Sequence, residues 1–205
     1  MMDYFSLEAE HFSALTEADA RTAAAVAAKG CPFCGGRLHV ANYKRKPRGG
    51  RLAAAGEEQP LRHSLCCGRR GCRRRVLPPS LRFLGRRVYV EAAVVLGSAL
   101  AQASAKLCTA ARISGVPARS LGRWLTWWRE HVPRERWWME LRARLTPPGP
   151  QESRLPASLL EHLIAVVGKG PALARRVARC LAPATSWLPN ALCFVGDALP
   201  GGDSS

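Results

Sequence analysis

The sequence predicts a mainly α-helical protein with a small N-terminal β-ribbon, and three observations carry that prediction. Apolar residues recur at helical spacing in blocks from residue 88 onward. Two short alternating segments, RLHVANYK and LRHSL, flank a glycine-rich loop between two groups of cysteines, as the strands of a ribbon do. Proline-rich stretches, LPPSLRFLGRR and TPPGPQESR, separate the blocks as connectors.

Taken in order, residues 1–30 are an N-terminal helical segment. The helix itself is expected over 16–30, with Thr16 as its cap, acids in the first turn and Gly30 as its stop. Residues 31–77 make the ribbon, with 47–60 as its internal loop. A helical domain over 88–145 holds an apolar helix at 88–104, a second at 105–114, a third at 117–131 opened by Pro117, and an amphipathic fourth at 134–145. Residues 155–183 supply a C-terminal helical pair, and 184–205, rich in Gly, Pro and Ser, a flexible tail. At 205 residues and 47% apolar content the chain can bury a core in one or two domains.

Charge is distributed unevenly. The formal net charge is +16, and residues 37–87 hold fifteen basic side chains against two acidic ones, +13 of that total. Most are Arg, whose planar fork matches phosphate, so the composition points to a polyanionic partner. The first thirty residues carry acids rather than a basic start and an apolar run, and the best apolar stretch, 88–104, is short for a span and contains Glu91. A cytoplasmic protein with no membrane partner is expected. In that compartment closely spaced cysteines hold metal more often than they form disulfides.

CPFCGG at 31–36 and CCGRRGC at 66–72 are the most chemically specific stretches. A Cys-x2-Cys turn with proline inside and glycine after it aims two thiolates at one point, and two such turns build a tetrahedral four-sulfur zinc site. The second turn pairs Cys72 with either Cys67 or Cys66. Cys67 is favoured, because Gly68 and Gly71 then lie inside the turn while Cys66, its neighbour in an extended strand, faces the opposite way. The predicted ligands are Cys31, Cys34, Cys67 and Cys72; His39 and His63 are nearby substitutes that four cysteines make unnecessary. A redox dithiol is disfavoured, since CPFCGG follows a helix and opens a glycine-rich ribbon. Four protein ligands leave no open position, so the Zn2+ is expected to be structural, replacing a core that so small a ribbon cannot build. Cys108, Cys180 and Cys193 read as small core residues. Arg73, Arg74 and Arg75, directly after Cys72, are then held on a rigid turn where phosphates can reach them.

TAARISGVPARSLGRWL, residues 109–125, has the parts of a helix-turn-helix. These are a small residue at the crossing (Ala111), a turn glycine able to take positive φ (Gly115), an apolar residue after it (Val116), and two anchors on the second helix (Leu121, Trp124). Ser114 stands where an apolar residue is usual, with Ile113 able to serve in its place. Leu121, Trp124 and Leu125 should face inward, and Trp127, Trp128, Trp137 and Trp138 should pack in a core or interface.

On these residues the chain resembles the homeodomain-like helix-turn-helix of insertion-sequence transposases and their accessory proteins, and CPFCGG with CCGRRGCRRR resembles the zinc ribbon that often precedes it. The resemblance implies that the helix from Pro117 is a recognition helix for double-stranded DNA, with Arg119, Ser120 and Arg123 facing the major groove. A metal-dependent transposase needs three convergent carboxylates. The chain has four Asp, at 3, 19, 197 and 203, and no phosphate loop, nucleophile triad or His-Glu metal motif. The expected function is therefore not enzymatic: a zinc-stabilised, sequence-specific DNA-binding protein, a transposon accessory or regulator that works beside a separate transposase. A zinc-ribbon RNA-binding protein is the alternative, because a cationic ribbon binds any phosphate backbone.

Overall fold

The computed structural model of the chain describes residues 9–44, 48–49, 61–84, 89–169 and 171–186. It is mainly helical with small sheets. The expected loop at 47–60, Cys193 and the tail beyond residue 186 lie largely or wholly outside the described residues.

Helix α1 (Ala9–Lys29) starts well before Thr16. Leu15, Ala18, Asp19, Thr22 and Val26 recur at three- and four-residue steps and are all buried, so one face of α1 is covered along most of its length. The cap predicted at Thr16 is thereby corrected: Thr16 sits inside the helix and its Oγ1 accepts a hydrogen bond from Arg82 Nη1. Gly30 ends α1 as expected, with φ +79, and delivers the chain to Cys31.

The predicted strand segments each break in two. RLHVANYK yields β1 (Leu38–Val40) and β2 (Tyr43–Lys44), and LRHSL with its neighbours yields β3 (Leu61–Arg62) and β4 (Leu65–Cys67). Asn42 causes part of the break, its side-chain carbonyl taking the Ser64 N–H at 3.0 Å. β4 lies between β1 and β5 (Arg75–Val76), antiparallel to both, with Leu38 opposite Cys67, His39 opposite Cys66 and Cys66 opposite Arg75. β2 pairs with β3. The expected connector LPPSLRFLGRR is not a bare linker: Pro78 to Phe83 is buried, and β6 (Phe83–Leu84) pairs with β7 (Tyr89–Val90).

Beyond this hairpin α2 (Glu91–Ala103) is the axis of the helical body. One side, with Val94 and Ala101, packs on α3 (Leu107–Ser114) and α4 (Ala118–Thr126). Its other side, with Val95, joins the larger core of Trp128, Trp138, Leu155, Leu159, Leu163, Leu173, Val177 and Leu181. Most of that core comes from α5 (Arg136–Arg142), α6 (Ala157–Val167), α7 (Pro171–Leu181) and the segments between them. The C-terminal pair therefore closes the core of this chain. Gln102 of α2 helps fix it, donating to Leu155 O and accepting from the first N–H of α6, Ala157. Residues 184–186, expected to begin the loose tail, include the buried Thr185, whose Oγ1 accepts the Ser80 N–H at 2.8 Å.

The single helix predicted over 117–131 changes pitch instead. α4 passes into a π-helical turn, Trp127–His131, and a 3-10 turn, Val132–Arg134. Pro133 cannot donate to the carbonyl of Arg129 and its ring crowds that position, so a regular helix cannot run through it. Trp128 and Trp138 are fully buried, and Trp127 and Trp137 pack half-buried against the same core, in keeping with the packing role expected of all four.

Two arginines of this region are buried, and one of them, Arg82, ties the ribbon to α1. Asp19 of α1 accepts from Ser80 Oγ at 2.7 Å, Leu81 N at 2.6 Å and Arg82 Nε at 3.0 Å, while Arg82 Nη2 donates to Leu61 O at 3.0 Å. Arg62 Nη2 donates to Pro78 O at 3.0 Å. Arg62 and Arg82 thus belong to the interior, although their type and their place in a basic run suggested a phosphate-facing surface.

Candidate metal centre and basic helix face

Two backbone turns bring the cysteines together. In the first, the N–H groups of Cys34 and Gly35 return to Cys31 O, and Cys31 N donates to Gly36 O. In the second, Cys72 N and Arg73 N donate to Arg69 O, with Cys67 N held by Arg74 O and Gly68 N by Arg37 O. Glycine stands at the points of closest approach. A Cβ at Gly36 would lie 3.1 to 3.3 Å from Arg69 Cβ and the sulfurs of Cys67 and Cys34, and one at Gly68 would strike the His39 ring. Gly35 and Gly71 take φ +70 and +87.

The sulfurs of Cys31, Cys34, Cys67 and Cys72 all lie within 4.8 Å of one another. Cys34 Sγ is 3.5 Å from Cys67 Sγ, and Cys31 Sγ is 3.8 Å from Cys72 Sγ. A tetrahedral ion with metal–sulfur bonds of about 2.3 Å has sulfur–sulfur edges of about 3.8 Å, so the four residues fit a metal ion. The choice between adjacent cysteines is made by the strand. Cys67 points into the cluster and is fully buried, whereas Cys66 points to the opposite face of β4, its thiol directed at Arg73 O. Neither His39 nor His63 joins the cluster.

The thiols differ in acidity. The backbone N–H of Gly36 favours the Cys34 thiolate and lowers that group to about 7. The N–H of Arg69 favours the Cys67 thiolate too, but burial and the adjoining thiols of Cys34, Cys72 and Cys31 push it up to about 12. Cys72 is raised in the same way, burial and the Cys34 and Cys31 thiols outweighing the N–H of Arg74. One thiolate forms readily here and further ones resist forming beside it. A divalent cation bound there would remove that resistance, so its uptake would release protons and strengthen as pH rises.

Around the cluster Arg73, Arg74 and Arg75 are exposed, each with a distinct setting. Arg73 adopts φ +45, rare for a side-chain-bearing residue. The Arg74 guanidinium lies 4.6 Å from the ring centroid of Phe33, itself 51% exposed at the tip of the first turn. Arg75 Nη1 donates to Ser64 Oγ at 3.2 Å. Cys180 is buried as expected for a core residue; Cys108 is exposed, which corrects the core reading, since α3 turns that position away from α2.

In the helical body Gly115, with φ +70, ends α3, its N–H bonded to Ala111 O. Val116, Leu121 and Trp124 are buried against α2, and Leu125 packs at their edge. Two assignments shift by one residue. Ala110 is fully buried while Ala111 is only partly so, and Ser114 is itself buried, its hydroxyl donating to Ala110 O and accepting from Val116 N. Ile113, expected to substitute for it, is exposed. Arg119 and Arg123 are exposed on the outer face, with Ser120 half-buried between them and Arg123 Nη2 3.3 Å from Ser120 Oγ. None of the salt bridges among the described residues neutralises Arg73, Arg74, Arg75, Arg119 or Arg123.

Arg119, Gly122, Arg123, Thr126, Trp127 and His131 line an open trough of about 500 Å³. Sequence reasoning found two of the six. The four-residue step from Arg119 through Arg123 and Trp127 to His131 is visible in the sequence, but a uniform α-helix does not keep such a row on one face. No family model, curated protein or solved structure matches the chain.

Proposed function

We propose that the chain is a zinc-stabilised, sequence-specific DNA-binding protein in which α3 and α4 act as a helix-turn-helix and the cysteine-bearing sheet acts as a zinc ribbon. The observation that carries this reading is the division of α4. Leu121 and Trp124 are spent on the core against α2, while Arg119 and Arg123 stand on the opposite side with the half-buried Ser120 at their flank, and no salt bridge among the described residues involves either arginine. A helix about 10 to 12 Å across, presented this way, fits a major groove of about 12 Å. Zinc is the ion supported by four thiolates at tetrahedral spacing, and its part is structural: it rigidifies the turn that carries Arg73 to Arg75. These three act on phosphates and set affinity; Arg119 and Ser120 act on bases and set specificity. The resemblance to transposase-associated proteins supports an accessory or regulatory part beside a separate transposase, in the cytoplasm, without chemistry of its own. Among the described residues no helix is long and apolar enough to cross a membrane.

Selection from a random duplex library at two salt concentrations tests the reading. An enriched sequence is expected, with the Arg119→Ala variant losing roughly 1–3 kcal/mol of discrimination at one base position. Equal, salt-sensitive binding to every duplex would overturn it. A second reading, RNA binding, is favoured by one observation: Phe33 and Arg74 form an exposed aromatic–guanidinium stack of the type on which unpaired bases settle.

A further inference from the structure

Two helical glycines pose opposite cases. A Cβ at Gly97 in α2 would come within 3.2 Å of Leu121 Cδ2 and of Trp124 Cζ3, so it would press on two buried side chains of α4. A Cβ at Gly122 in α4 would meet only Leu107 Cδ1, at 3.8 Å, an ordinary contact. Glycine inside a helix is destabilising relative to alanine, and nothing in the fold asks for it at 122. What it does is leave the floor of the trough bare, with the small Thr126 one turn on; Arg119, Arg123, Trp127 and His131 form the rim.

The rim depends on the π-helical turn. Residues four apart advance about 40° around an α-helix, so a row built on that spacing drifts away from its starting face. The bond from Val132 N to Trp127 O spans five residues, each residue of the wider turn rotates less, and the drift is reversed between Trp127 and His131. Trp127 is steadied from behind by Trp128, ring centroids 4.8 Å apart and edge to face.

We infer that this trough is a clamp for one phosphodiester strand, positioned where the recognition helix leaves the major groove. The inference rests on the DNA-binding reading above. The twelve steps from Arg119 to His131 cover about 18 Å along a helix, more than the groove width of about 12 Å. If Arg119 lies over bases and the helix runs across the groove, the His131 end lies over the flanking backbone. The occupant is a phosphate with its sugar: Arg123 supplies a fork for the phosphate oxygens, His131 a ring nitrogen, Trp127 an apolar wall for the sugar, and Gly122 the clearance that lets the strand sit against the helix backbone. Arg123 is thereby assigned to the backbone and leaves base reading to Arg119 and Ser120.

The test fills the trough without removing a charge. Gly122→Gln should fold with an unchanged or higher Tm, yet bind a random-sequence duplex at least about tenfold more weakly, with a shallower dependence on salt and no change in sequence preference. Gly97→Ala is the control for a packing glycine and should lower Tm. Full duplex affinity in a folded Gly122→Gln protein would overturn the clamp while leaving the DNA reading intact. An altered sequence preference in that variant would also overturn it, by placing bases in the trough. Failure of the unaltered protein to bind any duplex would overturn both.

Discussion

Around the cysteines the buried cluster consists of Val26, Leu38, Leu65 and Val76 with Cys31 and Cys67; around Trp128 and Trp138 it gathers fourteen buried residues from α2, the turns after α4, and the stretch from α5 to α7. The first has too little apolar surface to hold three short strands and two glycine-bearing turns by itself, and its sulfurs stand where side chains would otherwise interdigitate. The second needs no ion. On the proposed reading, two regions of one chain rely on different physics, ligation in one and burial in the other, and each should fail under a different insult. They are joined by a buried apolar cluster of Leu15, Ala18, Leu81, Ala178 and Ala182 and by a polar knot: Asp19 on α1 fastens Ser80, Leu81 and Arg82, Arg82 reaches on to β3, and the Ser80 N–H donates to Thr185.

Removing a sulfur is the largest break. Structural zinc in small modules contributes about 10–16 kcal/mol of apparent binding free energy, so Cys34→Ser should lose stoichiometric metal and melt the sheet of β1, β4 and β5. The six tryptophans all lie at or beyond residue 124, so their fluorescence should persist through that melting. Coincident loss of metal and tryptophan signal would show instead that the two regions form one cooperative unit. Cys66→Ser, on the other face of β4, should keep its metal.

Cutting the polar joint comes next. Asp19→Asn leaves the buried Arg82 guanidinium without its charge partner, and breaking such a pair costs about 3–5 kcal/mol. Its signature is a lowered denaturation midpoint for sheet and helices together, measured by amide exchange in both; a drop confined to the sheet would mean that the joint serves only one side. The smallest effect is the one read by pH. Burial, chiefly, lowers the pKa of His63 below its ordinary 6.5, with Arg82 and Arg62 acting in the same direction and Asp19 against it. The folded state therefore holds this group neutral. Its contribution to stability is complete above 6.5 and is lost as pH falls through the lowered value. A chemical-denaturation series should show a weak acid-side decline that His63→Gln removes.

Much of the molecule was legible because the determining physics is local. Cysteine spacing and the glycines inside the turns picked out Cys31, Cys34, Cys67 and Cys72, and alternation along a strand separated Cys67 from Cys66. Gly30 and Gly115 marked helix ends through φ values that other residues resist. Helix existence followed from apolar spacing; the pitch change at Trp127 was signalled by Pro133 and passed over. The trough was half legible, since Arg119 and Arg123 stood out by charge but Gly122 gained meaning only beside Gly97, once the space around each was known.

By itself, then, the sequence determined the sulfur set, the order of the helices, and the outward position of the α4 arginines, because each depends on neighbours within a few residues. Tertiary structure alone decided which basic side chains of the 37–87 stretch meet solvent. Arg73 and Arg74 are exposed and Arg82 is 3% exposed, and that difference comes from a carboxylate 63 positions away on α1. It also decided that α6 and α7 cover α2, for an apolar helix face specifies that something must bury it and leaves the partner to the packing of the whole chain.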